Sequence, residues 1–168
     1  MNIREEQPAD IEKIWRVNTD AFESEAEASL VNALRNNGCT YISLVAEIAN
    51  DIVGHILFTP VELTGDKHNL KIMGLAPMAV SSSHQNKGIG SQLVKTGLEH
   101  CGTRGYDAVV VLGHPHYYPR LGFEPSVKYG IKSEFDVPDD VFMILELSPG
   151  CLNNHQGVIK YHEAFNTV

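Results

Sequence analysis

The apolar positions in the first half of the chain change period several times. After a short alternating start, "MNIREEQ", the stretch Gln7-Pro8-Ala9-Asp10 places a proline where a first helical turn would sit, and Ile11, Ile14, Trp15 and Phe22 follow at helical spacing. Ser24 and Glu27 have the spacing of a capping box, and Leu30, Val31 and Leu34 carry a second helix as far as Asn37-Gly38. From Tyr41 to Glu47, and from Ile52 to Leu63, β-branched and aromatic residues dominate, with Asn50-Asp51 between them as a turn. This pair reads as a hairpin. Thr64 to Asn69 is a polar loop, after which Leu70 to Val80 returns to strand character, with Gly74 and Pro77 predicting a bulge or an irregular edge.

In the second half, Ile89, Leu93, Gly97, Leu98 and Cys101 share one face of a helix that runs out near Gly102 and Gly105. "DAVVVLG", residues 107 to 113, then reads as a strand buried on both faces. Strand, polar turn, helix and strand make a βαβ unit, whose crossover is right-handed and whose strands are parallel. Its ligand end lies where the strands finish and the helix begins. "HYYPRLGFEP" reads as a helical turn followed by a strand, and "VFMILEL", 141 to 147, as one more strand. With no repeat or linker visible, the pattern predicts a single α+β domain over residues 1–168 with a mixed sheet, the tail from Ser148 onward wrapping the same domain.

Composition narrows the partners. Against 13 basic side chains stand 21 acidic ones, a formal net charge of -8, which opposes nucleic-acid binding and favours cationic small molecules or basic peptide termini. Cys39, Cys101 and Cys151 are odd in number and unpaired in spacing, so neither a disulfide framework nor a zinc site is expected. No apolar run reaches the roughly 18 residues of a membrane span, and the first residues lack the pattern of an export leader. A cytoplasmic protein is expected, with no membrane partner.

The chemistry gathers at "SSSHQNKGIGSQLV", residues 81 to 94. A helix's first turn carries unpaired N–H groups and a positive dipole end, so it attracts anions. Gly88 and Gly90 have no Cβ to hold a phosphate away, Asn86 tolerates a left-handed backbone, and Lys87 adds positive charge. On these residues alone, a glycine-rich helix start beside a tight loop explains the stretch as well as a pyrophosphate cradle does. A P-loop is excluded because the lysine precedes the glycine. A dinucleotide fingerprint fits poorly because Gly88-Ile89-Gly90 lacks its third glycine and Asp107 begins its strand.

A third pattern fits better. "LAPMAVSSSHQNKGIGSQLV" closely resembles the acyl-CoA motif of the GNAT acetyltransferase superfamily, Gln/Arg-x-x-Gly-x-Gly/Ala after a strand ending Ala-Val, with Gln85, Gly88 and Gly90 at its defining positions. "YYPRLGFEP" resembles the second landmark, a tyrosine five residues before the phenylalanine of Gly-Phe. "VVVLGHPHYYPRLGFEP" and "FMILELSPG" resemble one branch of small bacterial predicted N-acetyltransferases.

The resemblance implies a mostly antiparallel central sheet with a splayed parallel strand pair and flanking helices. It implies acetyl-CoA as co-substrate, its pantetheine held by the main chain of Met78, Ala79 and Val80, and its pyrophosphate held by the amides of Gln85, Asn86, Lys87, Gly88, Ile89, Gly90 and Ser91. An N–H of the first group would also stabilise the oxyanion formed when an amine attacks the thioester. Tyr118 falls at the general-acid position, with Tyr117 in reserve. The family's usual basic glutamate is missing from Leu70 to Val80, which leaves Glu62, His114, His116 or water as the base. Two readings stand: an N-acetyltransferase acting on a primary amine of a small molecule or peptide, or a catalytically silent CoA-binding module. No metal is expected, and a homodimer stays open.

Overall fold

The computed structural model describes residues 1–66 and 69–167, so Lys67 and His68 of the polar loop, and Val168, lie outside the described residues. In chain order the elements are β1 (Asn2–Glu5), α1 (Ile11–Phe22), α2 (Ala26–Asn36), β2 (Ile42–Ile48), β3 (Asp51–Thr64), β4 (Ile72–Val80), α3 (Ile89–Thr103), β5 (Ala108–Leu112), β6 (Glu124–Pro125), β7 (Ile131–Ser133), β8 (Phe142–Glu146) and β9 (Gly157–Lys160). The fold is α+β, and its ladders are mostly antiparallel. Two pairs are parallel, β4 with β5 and the short β7 with β9. Two units divide the chain: residues 1–59, 76–97 and 163–168, and residues 60–75 and 98–162.

In the first unit β1, β2, β3 and β4 follow one another. Val45, Ile52, Leu57 and Ala79 from the strands pack with Ile14 and Val17 of α1 and with Leu30, Val31 and Leu34 of α2. The apolar face of α1 is narrower than its sequence suggests, since Ile11 and Phe22 are exposed and the polar Asn18 is buried instead. Ala164 and Phe165, in a 3-10 turn formed by Glu163–Thr167, lie against this same cluster.

Two local signals resolve differently from the sequence pattern. The β2–β3 turn is centred on Ala49 and Asn50, both at positive φ, which is the backbone a two-residue hairpin turn demands. It lies one residue earlier than Asn50-Asp51. At α2 the N-cap is Glu25, while Ser24 Oγ accepts a hydrogen bond from the Ala26 amide, so Ser24 and Glu27 do not form the reciprocal pair. A capping box does exist at Gln7 and Asp10, ahead of α1. Arg4 of β1 fastens it, reaching Asp10 at 2.7 Å and Glu47 at 3.2 Å.

In the second unit β4 pairs with β5 from Ile72↔Ala108 to Leu75↔Val111, and β5 pairs antiparallel with β8. The crossover strands are parallel, as the βαβ pattern predicts. β4 runs unbroken through Gly74 and Pro77. Gly74 is there for room and not for a bulge: a Cβ on it would come within 2.9 Å of the Tyr161 ring and of Val61. At Pro77, whose peptide bond with Ala76 is cis, β4 has already left its ladder with β5, the irregular edge that the proline predicts; a register irregularity also lies on β2, between Ala46 and Glu47.

Candidate active site

Each part of the site follows from its own element. The β4–β5 ladder ends at Leu75, yet β4 extends for five more residues, Ala76 to Val80. Along that extension Ala79 points into the core while Met78 and Val80 are half-buried, the alternation of a strand with one face covered. The Val80 carbonyl accepts a hydrogen bond from the Gln85 side chain at 3.0 Å, and the Ser81 amide donates to the Val53 carbonyl of β3 at 2.9 Å. The start of the loop that follows and Gln85 in its middle are thereby tied to strands of the first unit.

The loop has the backbone that its residue types predict. Asn86 lies at φ 62° and Gly88 at φ 83°, two left-handed residues on either side of Lys87. Nothing lies within 4 Å of where a Cβ on Gly88 would stand, so the main chain is bare on that side. The Gln92 amide donates to the Gly88 carbonyl, and the amides of Ile89 and Gly90 lie in the first turn of α3, ahead of its repeating main-chain bonds. Asn86, Lys87 and Gly88 are all exposed. Amides of successive left-handed and helical residues in front of a helix N-terminus make a concave anion receptor.

The helix behind it is set close against the sheet. A Cβ on Gly97 would overlap the Phe58 ring, and one on Gly54 would meet Leu93 and Ile89 at 3.0 and 3.2 Å. Proximity requires glycine at 97, and at 54 it leaves a Cβ only a tight fit. The three serines of the loop have work that the sequence does not reveal: Ser81 and Ser83 both place a hydroxyl on His84 Nδ1, at 3.0 and 2.9 Å, and Ser82 is bound by Asp20.

Tyr118 opens the 3-10 turn Tyr118–Leu121 that ends at Gly122, whose φ of 101° reverses the chain before Phe123. Its side chain is 7% exposed, packed edge-on between Tyr117 and Phe123, with ring centroids 5.0 and 5.5 Å away. No described residue hydrogen-bonds to its hydroxyl. Burial, with a smaller contribution from Tyr117, pushes its pKa up to about 12. At neutral pH it is a protonated phenol with a donor to offer. Gly113 supplies the floor for this ring and is the site residue that the sequence reading missed: a Cβ there would overlap Tyr118.

Among the candidates for the base, Glu62, His114 and His116 are all exposed. Glu62 sits at the end of β3 opposite Lys160 of β9. Among the described residues no group of three or more His, Cys, Asp or Glu is placed to hold a metal ion, and no helix is long and apolar enough to cross a membrane. Residues between Ser126 and Phe142 line a half-open pocket of about 290 Å³, among them Phe135 and the exposed Lys132, Glu134, Asp136 and Asp139.

Comparison with known proteins places this geometry. Residues 2–126 match the model of the acetyltransferase (GNAT) domain. The chain belongs to the GNAT acetyltransferase family. It is 36% identical over 167 residues, 99% of both chains, to the uncharacterized N-acetyltransferase YhbS of Escherichia coli. The crystal structure of E. coli YhbS in complex with CoA superposes with a TM-score of 0.93, covering 98% of this chain and 91% of that one. A GNAT acetyltransferase from Brucella melitensis in complex with acetyl-CoA is 32% identical, with a TM-score of 0.80 over 98% and 97% of the two chains. The chain is therefore an acyl-CoA-dependent N-acyltransferase, and the GNAT fold expected from the two sequence landmarks is the one observed.

Proposed function

We propose that this GNAT protein moves an acetyl group from acetyl-CoA to a primary amine of a small molecule or peptide, by direct attack while both substrates are bound. The observation that carries the reading is the left-handed main chain at Asn86 and Gly88, bare at Gly88, directly in front of the first turn of α3. The amides of Gln85 to Ser91 would take the diphosphate, and the main chain of Met78, Ala79 and Val80 the pantetheine arm. Relatives crystallised with CoA and acetyl-CoA support acetyl-CoA as co-substrate.

Attack by a neutral amine on the thioester forms the C–N bond, breaks the C–S bond and leaves a thiolate that must take a proton. Tyr118 is proposed as the donor. Its raised pKa is not an obstacle, because the desolvation that keeps the phenol protonated also makes a thiolate more basic. This protein's own thiols move in the same direction: burial pushes Cys101 up to about 12, and burial together with Glu146 and Asp107 pushes Cys151 up to about 11. A thiolate released beside the buried phenol would be raised in the same direction, which narrows the gap that the proton transfer has to cross. With no carboxylate on β4, the amine's proton would leave through water or through Glu62, His114 or His116. The net charge of -8 favours cationic acceptors.

The decisive test measures thiol release from acetyl-CoA against a panel of primary amines, with Tyr118→Phe in parallel. Amine-dependent release that falls about 10²-fold or more in the variant supports the reading. Tight binding of acetyl-CoA with no release by any amine overturns it and leaves a silent CoA-binding module.

A further inference from the structure

Ser82 is the first residue of the 3-10 turn Ser82–His84 that leads into the glycine-rich loop. Its amide donates to Asp20 Oδ2 at 2.7 Å and its hydroxyl donates to Asp20 Oδ1 at 3.1 Å. One carboxylate, near the C-terminal end of α1 and 62 positions away in sequence, thus takes both donors of one loop residue. Bonds to an ionised acceptor are the stronger kind, and Asp20 forms no ion pair with any described residue that would divert it. A carboxylate close in chain contact with an anion-receiving loop works against the charge of its ligand. Its presence there calls for a compensating role, and fixing the loop's backbone supplies one.

We infer that Asp20 is a positioning residue for the CoA diphosphate. By pinning Ser82 it holds the start of the 82–91 loop, so that the downstream amides are set before the ligand arrives and less ordering entropy is lost on binding. The inference rests on the reading of residues 85 to 91 as the diphosphate cradle. The local backbone offers an independent handle. Ser81 lies at φ -55° and ψ 145°, the conformation a residue must adopt ahead of proline, and Ser82 begins a turn, where proline's fixed φ is already correct. Proline at position 82 would therefore impose covalently what Asp20 imposes by hydrogen bonds, while abolishing the amide that Asp20 holds.

The experiment titrates CoA, and pantetheine as a ligand lacking the diphosphate, into the wild type, Asp20→Ala, Ser82→Pro and the double variant, with steady-state kinetics alongside. Asp20→Ala is expected to raise the CoA Kd and the acetyl-CoA KM about fivefold to tenfold, the net worth of about one ordinary hydrogen bond. It leaves kcat within about twofold and pantetheine binding unchanged, a split that general loosening of the fold would not produce. In the Ser82→Pro background the same Asp20→Ala change has no further effect, and CoA affinity returns to within about twofold of the wild type. Wild-type CoA affinity in Asp20→Ala, or a double variant as weak as Asp20→Ala, overturns the role. Gly88→Val separates this from the wider reading: undiminished CoA affinity in that variant removes the cradle itself, whereas its loss beside an unaffected Asp20→Ala removes only Asp20.

Discussion

The ring of Tyr118 lies so close to the main chain of Gly113 that a β-carbon on Gly113 would overlap its Cε2 and stand 3.0 Å from its Cδ2. Gly113 is anchored in turn, its amide donating to the Val141 carbonyl at 2.9 Å. The phenol's direction is thus set by a residue with no side chain. Gly113→Ala is expected to displace the ring, cutting kcat at least tenfold while CoA affinity stays within about twofold, because the diphosphate loop belongs to other elements. Overpacking of this kind costs about 1–3 kcal/mol of stability. Calorimetric CoA titration and turnover assays on the same preparation separate the two effects.

The protonation state of Tyr118 makes a second prediction. With its pKa near 12, the phenol keeps its proton across the working range. Acetyl transfer should therefore rise with pH as the acceptor amine becomes neutral, with no descending limb below about pH 10. A kcat/KM profile that falls between pH 8 and 10 would assign the acid to another group.

Gly97→Ala tests how α3 is seated. The added methyl would strike the Phe58 ring, which is fully buried and has little freedom to retreat. A loss of about 1–3 kcal/mol is expected, visible as a drop of several degrees in Tm. Phe58→Leu in the same background should recover part of it by making room.

Stability against acid should depend on His55. Its ring is fully buried between Asn18 Nδ2 on Nδ1, at 3.3 Å, and Ser43 Oγ on Nε2, at 2.9 Å. Burial lowers its pKa to about 4, so the folded state holds it neutral where the unfolded chain, near 6.5, takes up a proton. The stability it contributes is present above about pH 6.5 and is lost as the pH falls towards 4, by about 3 kcal/mol in all. Asp10, held below the usual carboxylate range chiefly by its hydrogen bonds to Arg4, adds a separate loss that begins only below its unfolded value of 3.8. Glu124, held low by its hydrogen bonds to Lys128 and Tyr129, starts from an unfolded value of 4.5, so urea unfolding between pH 7 and about 5.5 is the stretch that reads His55, and His55→Gln should flatten it.

What the sequence revealed depended on how far apart the cooperating residues lie. The crossover from β4 through α3 to β5 was legible because its hydrophobic period switches cleanly and its loop is rich in small residues. Asn86 and Gly88 adopt the left-handed backbone that their identities suggest, and Tyr118 stands out by its spacing from Gly122-Phe123. Ser24 misled because a capping signal is local, while here the helix begins one residue later. The strands β7 and β9, three and four residues long, carry too little pattern of their own and exist by pairing with each other and with the end of β3. The Asp20–Ser82 bond and the roles of Gly74, Gly97 and Gly113 were hidden for the same reason: each answers a neighbour that only folding brings near.

Phe165 covers a surface of the α1–α2 layer that is made more than a hundred residues before it. During synthesis, that greasy patch has no lid until more than a hundred further residues have been translated, so the α1–α2 layer finishes folding long after its own residues are made. Nascent chains stalled before Phe165 should consequently be the ones that chaperones and proteases capture.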